Sequence, residues 1–159
     1  MKDLDAYRSE FPITEKVTFM NHAAVSPWPK RTADAVRDFA VENAAWGSSR
    51  YLEWMKTETR LRQQLQTLIN ARSADEIALL KNTSEALSVV AYGLPWQAGD
   101  KVVISNQEFP SNRIVWESLA KYGVTTEAAD LSGEDTPEAA LIACLDDHTR
   151  LLSISSVQY

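Results

Sequence analysis

The run Asn82-Thr83-Ser84-Glu85, set directly before Ala86 and Leu87, has residue types that can hold an anion. The first turn of a helix carries N–H groups without intrahelical partners and a partial positive charge. Phosphate binds well at such an end. Thr83 and Ser84 add hydroxyl donors; Asn82 or Thr83 can cap, and Glu85 can close a capping box onto Asn82. The same residues also suit a well-capped helix that holds nothing. The common nucleotide loops are absent: no G-x-G-x-x-G follows a strand here, and no G-x-x-x-x-G-K-[ST] occurs. With five glycines the chain cannot wrap a di- or triphosphate closely. One phosphate on one helix end is the better size match.

Two further segments could act beside it. Glu108-Phe109-Pro110-Ser111-Asn112 follows an apolar strand pattern. An aromatic in a polar loop, held by a proline, can stack on a flat ring or fold back over the core. Asn21-His22-Ala23-Ala24 is a small polar segment in which His22 can contact a substrate or simply face solvent. His148, beside Asp146 and Asp147, reads as a solvated turn residue. No H-E-x-x-H, C-x-x-C or G-x-S-x-G occurs, so no metal cluster or serine elbow is expected. Cys144 lies among Leu141, Ile142 and Leu145 and reads as a buried thiol, not a nucleophile.

The elements that must position these residues can be read from periodicity. Pro27 and Pro29 precede a helical pattern with Ala33, Val36, Phe39 and Ala40, which Gly47 breaks. A second helix is expected from Tyr51 to Asn70, with a stripe of Leu61, Leu65, Leu68 and Ile69. Ser73 to Glu76 has capping-box spacing and predicts a turn. Strands are then expected at 76–81, 101–106, 124–130 and 150–156, alternating with helices at 84–94, 111–122 and 137–145. Gly123 is placed for a left-handed cap, and Thr136-Pro137 for an N-cap with a first-turn proline. Strands alternating with helices imply βαβ crossovers and a parallel sheet, an α/β fold. In such a sheet ligands gather beyond the carboxyl ends of the strands, where the Asn82 and Phe109 segments both fall.

The totals exclude several classes. The chain has 159 residues, 45% hydrophobic and 24% charged, enough for a real core. A net charge of −6 argues against nucleic acid and acidic lipid as partners. A single cysteine fits a reducing compartment, and no apolar run approaches a membrane span. A soluble, cytoplasmic protein is expected. The five tryptophans, at 28, 46, 54, 96 and 116, read as packing anchors. The ending TRLLSISSVQY reads as a strand arriving without a closing helix, which suggests a piece of a longer chain.

These segments, in this order, resemble the class V aminotransferase family of pyridoxal-phosphate enzymes, fold type I, which includes cysteine desulfurases, kynureninase and isopenicillin-epimerase-like proteins. The resemblance runs from VTFMNHAAVSPWPKR through LLKNTSEALSVVAYGLPWQAGDKVVISNQEFPSNRIVW to LLSISSVQY. It implies the N-terminal half of a pyridoxal-phosphate-binding large domain over 51–159, with helices on both faces of its sheet. Residues 1–50 would form a preceding segment and helix. By this resemblance Thr83 and Ser84 cradle the cofactor phosphate, Phe109 stacks on the pyridine ring, and Gln158 adjoins the cofactor. Asn21 and His22 match the substrate-side loop. The implied activity is that of a homodimeric enzyme acting on an amino-acid-like substrate through an aldimine. Two departures qualify it. Cysteine desulfurases carry His where Phe109 stands, and Phe cannot transfer a proton, which favours aminotransferase-like or kynureninase-like branches over desulfuration. The Schiff-base lysine belongs to a segment beyond Tyr159, and Lys81, Lys101 and Lys121 are in the wrong places to replace it. The 159-residue chain is therefore expected to be inactive alone. The alternative is a non-catalytic α/β binding or dimerisation module for a phosphorylated small molecule.

Overall fold

The computed structural model describes residues 5–21, 25–133 and 136–157. The chain divides into two compact units, Met1–Leu79 and Leu80–Tyr159.

In the first unit a short helix α1 (Asp5–Arg8) and a 3-10 turn (Pro12–Glu15) precede two long helices, α2 (Lys30–Trp46) and α3 (Tyr51–Ile69). Gly47 ends α2 at φ 53°. The two helices meet through aromatic edges. Phe39 and Trp54 lie 5.2 Å apart in a T-shaped pair, and Trp54 Nε1 donates to Glu42 at 3.0 Å. Arg50 pairs with the same glutamate at 3.2 Å on the surface. No residue of α2 or α3 is buried, so the apolar stripe expected on α3 has no core of its own: Leu68 is 78% exposed. Ser73 caps a 3-10 turn (Ala74–Glu76) by accepting from the Asp75 N–H, and Arg62 donates to the Ile77 carbonyl. The strand expected at 76–81 is not formed. Ile77 is buried and extended, and Ala78 and Leu80 are exposed, but among the described residues no strand pairs with them. A short apolar run was legible there; a strand also needs a ladder partner, which a local pattern does not specify.

The second unit is a parallel α/β sheet. Its strands are β1 (Lys101–Ser105), β2 (Thr125–Ala129) and β3 (Thr149–Leu152), in the order β2-β1-β3. Lys101 to Ser105 align with Thr125 to Ala129, while the β3 register slips between Lys101 and Val102. Helix α4 (Thr83–Gly93) precedes β1; α5 (Ile114–Glu117) and α6 (Pro137–Ala143) are the crossovers. The first crossover moves to one side of β1 and the second returns past it to the other. Right-handed connections in opposite directions must place their helices on opposite faces. The contacts agree. Val102 and Ile104 share a core cluster with Ala91 of α4 and Val115 and Trp116 of α5. Lys101, on the other face, reaches the carbonyl of Cys144 at the end of α6.

Local signals set several boundaries as expected. Thr136 accepts from the Ala139 N–H with Pro137 in the first turn. Gly123 sits at φ 78°, where a Cβ would also lie 3.0 Å from that of Ala98, so both conformation and space require glycine. The single helix expected at 111–122 is instead a 3-10 turn (Pro110–Asn112), α5, and a second 3-10 turn (Ser118–Tyr122). Ser118 Oγ bonds the Val115 carbonyl at 2.6 Å, a local alternative to the helical ladder. The packing role expected of the tryptophans holds for Trp116, 1% exposed, but not for Trp28 or Trp46, at 59% and 63%.

Lys101 anchors the amino-terminal edge of the sheet. Its ammonium binds Glu127 at 2.7 Å, Asp146 at 2.8 Å and the Cys144 carbonyl at 2.7 Å. Hydrogen bonding to Lys101 holds both carboxyls below their ordinary values, and bonding to Asp146, then Glu127, holds the ammonium above its own. Burial, then Glu127, pushes the half-buried Cys144 thiol up, consistent with an inert group. The sign of the pH effect follows. Depressed carboxyls contribute stability above their unfolded values and lose it as pH falls through their folded ones. The raised ammonium contributes below its unfolded value for as long as its carboxylate partners stay ionised, and loses that contribution as pH rises through its folded value. Lys101→Met is expected to lower the urea midpoint at neutral pH. The gap to wild type should narrow in acid, below the ordinary carboxylate range, and again in strong alkali. A gap constant with pH would contradict this assignment.

Candidate anion site at the start of helix α4

Helix α4 begins as its sequence predicts. Asn82 is the N-cap, and its Oδ1 accepts from the Glu85 N–H at 2.9 Å. The Glu85 carboxylate turns back one residue further than expected and accepts from the Lys81 N–H at 2.9 Å, not from Asn82. The Thr83 and Ser84 amides, first and second in the helix, have no partner among the described residues, and both residues are exposed. Two amides, two hydroxyls and the end of an eleven-residue helix thus make a donor set suited to one phosphate.

A groove of about 410 Å³ opens beside this helix. Ser84, Ser88 and Tyr92 of α4 line one side; Phe109, Ile114 and Ser118 are on the other. Ser84 and Phe109, singled out separately from the sequence, therefore face one space. Thr83 lies one position back and is not part of the lining. Phe109 is 54% exposed and directly precedes Pro110, which opens the 3-10 turn. Such a ring can present a face to a planar ligand. A second, more polar cavity of about 650 Å³, with Asn106, Gln107 and Arg113 in its lining, contains neither Thr83 nor Ser84. Pro110 and Ile114 line both cavities, so the Phe109 turn is the wall between them. Arg113 is bound to Glu117 at 2.6 Å, a surface pair.

Of the other residues singled out, Asn21 is exposed in the first unit, and His22 and Gln158 lie outside the described residues. Lys101 is held at the opposite end of β1, and the Lys121 ammonium sits over the rings of Tyr92 and Tyr122 at 5.1 and 5.0 Å. His148 is exposed, and its N–H donates to Asp146 in a turn.

Sequence reasoning did not assign roles to two buried polar residues of the Phe109 loop. Glu108 is 7% exposed; its carboxylate accepts from the Ser105 hydroxyl at 3.2 Å, the Ser155 N–H at 2.8 Å and the Ser155 hydroxyl at 2.7 Å. Asn112, also 7% exposed, accepts from Trp116 Nε1 at 3.0 Å and the Ser153 hydroxyl at 2.5 Å. The Asn112–Trp116 spacing of four was a readable signal. Nothing local marked Ser153 and Ser155 as partners. Both contacts tie the end of β1 to the segment after β3, across the point where the strand order reverses.

A family model described as Aminotransferase class-V matches residues 18–158. A probable cysteine desulfurase of Methanothermobacter thermautotrophicus is 32% identical over 156 residues, covering 94% of this chain and 38% of that protein. A cysteine desulfurase of Dickeya dadantii is 29% identical over 170 residues, covering 97% and 41%. Among solved structures, a C-DES mutant with glycine covalently linked to its PLP cofactor superposes with a TM-score of 0.83 at 21% identity, covering 96% of this chain and 41% of that one. That likeness establishes the parallel α/β fold. The chain spans about two fifths of the length of the curated relatives it matches.

Proposed function

The chain belongs to the aminotransferase class-V family, and from that membership we propose that it supplies the phosphate cup and one ring wall of a pyridoxal-phosphate enzyme acting on an amino acid. One observation carries the reading: Ser84, at the start of α4, and Phe109 line the same groove. The cofactor, when bound, supplies an electron sink for carbanion chemistry at an amino acid. The chain's own residues do the rest of what can be assigned. Thr83 and Ser84 hold the phosphate through amides and hydroxyls, and the helix dipole favours its charge. Phe109 covers one ring face and excludes water from it. Gln158 adjoins the cofactor, and Asn21 and His22 serve the substrate side, as the family resemblance assigns them. The working protein is a cytoplasmic homodimer. Among the described residues no helix is long and apolar enough to cross a membrane.

The curated relatives favour cysteine as the amino acid, since two are named as cysteine desulfurases or probable ones. Phe109 weighs against a shared proton path, because its side chain has no exchangeable proton. We therefore place the protein with the family's amino-acid transferases or lyases, with desulfuration as the second reading. Sulfide release from cysteine by the longer protein would favour the second.

Binding can be tested without the aldehyde, whose reaction with surface lysines would obscure it. Pyridoxine 5′-phosphate is expected to bind the chain about a hundredfold more tightly than pyridoxine, since two or more charge-assisted hydrogen bonds are at stake. Tryptophan fluorescence titration reads both. Equal affinities would overturn the proposal. Lys101 and Lys121 are both engaged elsewhere, and transamination by the chain alone is expected to be undetectable.

A further inference from the structure

Glu108 sits where the topology leaves a crevice. β2 and β3 lie on opposite sides of β1, so the carboxyl end of β1 is the place where successive crossovers diverge. An open crevice there would leave the Phe109 loop attached only to β1. It is not open. The Glu108 carboxylate reaches across it and takes the Ser155 N–H and hydroxyl, 47 residues away, and it also accepts from Ser105, the last residue of β1. A carboxylate 7% exposed that takes at least three donors is a rigid link, and Phe109 is its immediate neighbour in the chain. Asn112 makes a parallel link to Ser153 on the far side of the Phe109-Pro110-Ser111 turn. The ring wall is therefore suspended between two cross-strand ties.

We propose that Glu108 is a positioning residue for the ring wall: its carboxylate locks the Phe109 loop to the segment after β3 and so fixes the plane against which a flat ligand stacks. This deepens the pyridoxal-phosphate reading and rests on it for the identity of the ligand. Glu108 itself lines the polar cavity on the other side of the wall, not the groove that holds Ser84 and Phe109. It acts through Phe109. A link of this kind differs from a plain stabilising contact in what its loss does. The loop can still close, but the angle of the ring is no longer single-valued.

Glu108→Ala is expected to weaken pyridoxine 5′-phosphate binding about tenfold and to lower the circular dichroism per bound pyridoxine ring, a signal set by stacking geometry. Glu108→Gln should restore both to within about twofold, because its amide oxygen still accepts from the Ser155 N–H and its amide nitrogen can donate to the Ser155 hydroxyl. Ser155→Ala, which removes the hydroxyl donor but keeps the N–H, should fall between. Should Glu108→Ala fail to fold, Gln and Ser155→Ala carry the test. Unchanged dichroism and affinity in Ser155→Ala and in Glu108→Ala, where it folds, overturns the proposal, as does a Gln variant as impaired as Ala. Hydrogen exchange separates this failure from failure of the ligand reading. If wild type does not prefer the phosphate ester, the ligand reading falls. The positioning role then stands or falls on whether Ser155→Ala speeds amide exchange at Phe109 and Ser111 by about threefold, with β1 unaffected.

Discussion

Ser84→Asp is expected to abolish phosphate-dependent binding while leaving the fold as stable as before, or slightly more so. The two effects have opposite signs because they share one cause. The start of α4 carries the positive end of the helix dipole, and the Thr83 and Ser84 amides have no partner among the described residues. A carboxylate in the first turn satisfies that end and stabilises the helix by about 0.3–1 kcal/mol. It also removes a hydroxyl donor and places a negative charge where the phosphate would sit. A loss of about a hundredfold in pyridoxine 5′-phosphate affinity follows, about 2.7 kcal/mol by the usual conversion. Binding of pyridoxine, which has no phosphate, should change little. Fluorescence titration gives the affinities and a urea melt gives the stability. A variant that binds the phosphate ester as well as wild type does would place the anion elsewhere. A variant that loses binding only by unfolding would leave the helix-end account unsupported.

Trp116→Ala is expected to cost about 3–5 kcal/mol, a large part of the stability a domain of this size has. Trp116 is 1% exposed and belongs to the cluster that joins Ala91 of α4 to Val102 and Ile104 of β1 and to Leu119 and Val124. Removing its ring leaves a cavity that rigid strand neighbours cannot fill. It also removes the Nε1 donor to Asn112, which is left with Ser153 as its hydrogen-bond donor. Trp116→Phe separates the two contributions. It keeps much of the apolar area and should cost about 1–3 kcal/mol, for the smaller ring and the lost hydrogen bond together. Urea midpoints order the variants. A Trp116→Ala chain within about 1 kcal/mol of wild type would mean that the core does not depend on this ring as its burial implies.

Much of this protein was written locally. The apolar run Val102-Val103-Ile104 marks a strand buried on both faces, and the structure buries all three residues. Asn82 and Thr136 cap the helices they precede, and Gly123 takes the left-handed turn, because capping and positive φ are decided within a few residues. The amides and hydroxyls that Thr83 and Ser84 leave exposed at the helix start were legible for the same reason. Other features were not. Ile77 opens a short apolar run that reads as a strand but pairs with none among the described residues, and the segment at 111–122 reads as one helix yet breaks into three short turns. The meeting of Ser84 and Phe109 followed from the parallel topology only as a neighbourhood; their shared groove depends on how α4 and α5 pack over β1. Least visible of all was the tie between Glu108 and Ser155. Sequence could say that a glutamate stood after β1. Only the return of the chain on the far side of that strand, bringing donors from 47 positions away, decided that the glutamate would be buried and bound, since a carboxylate withdrawn from water must take the donors that the fold carries to it.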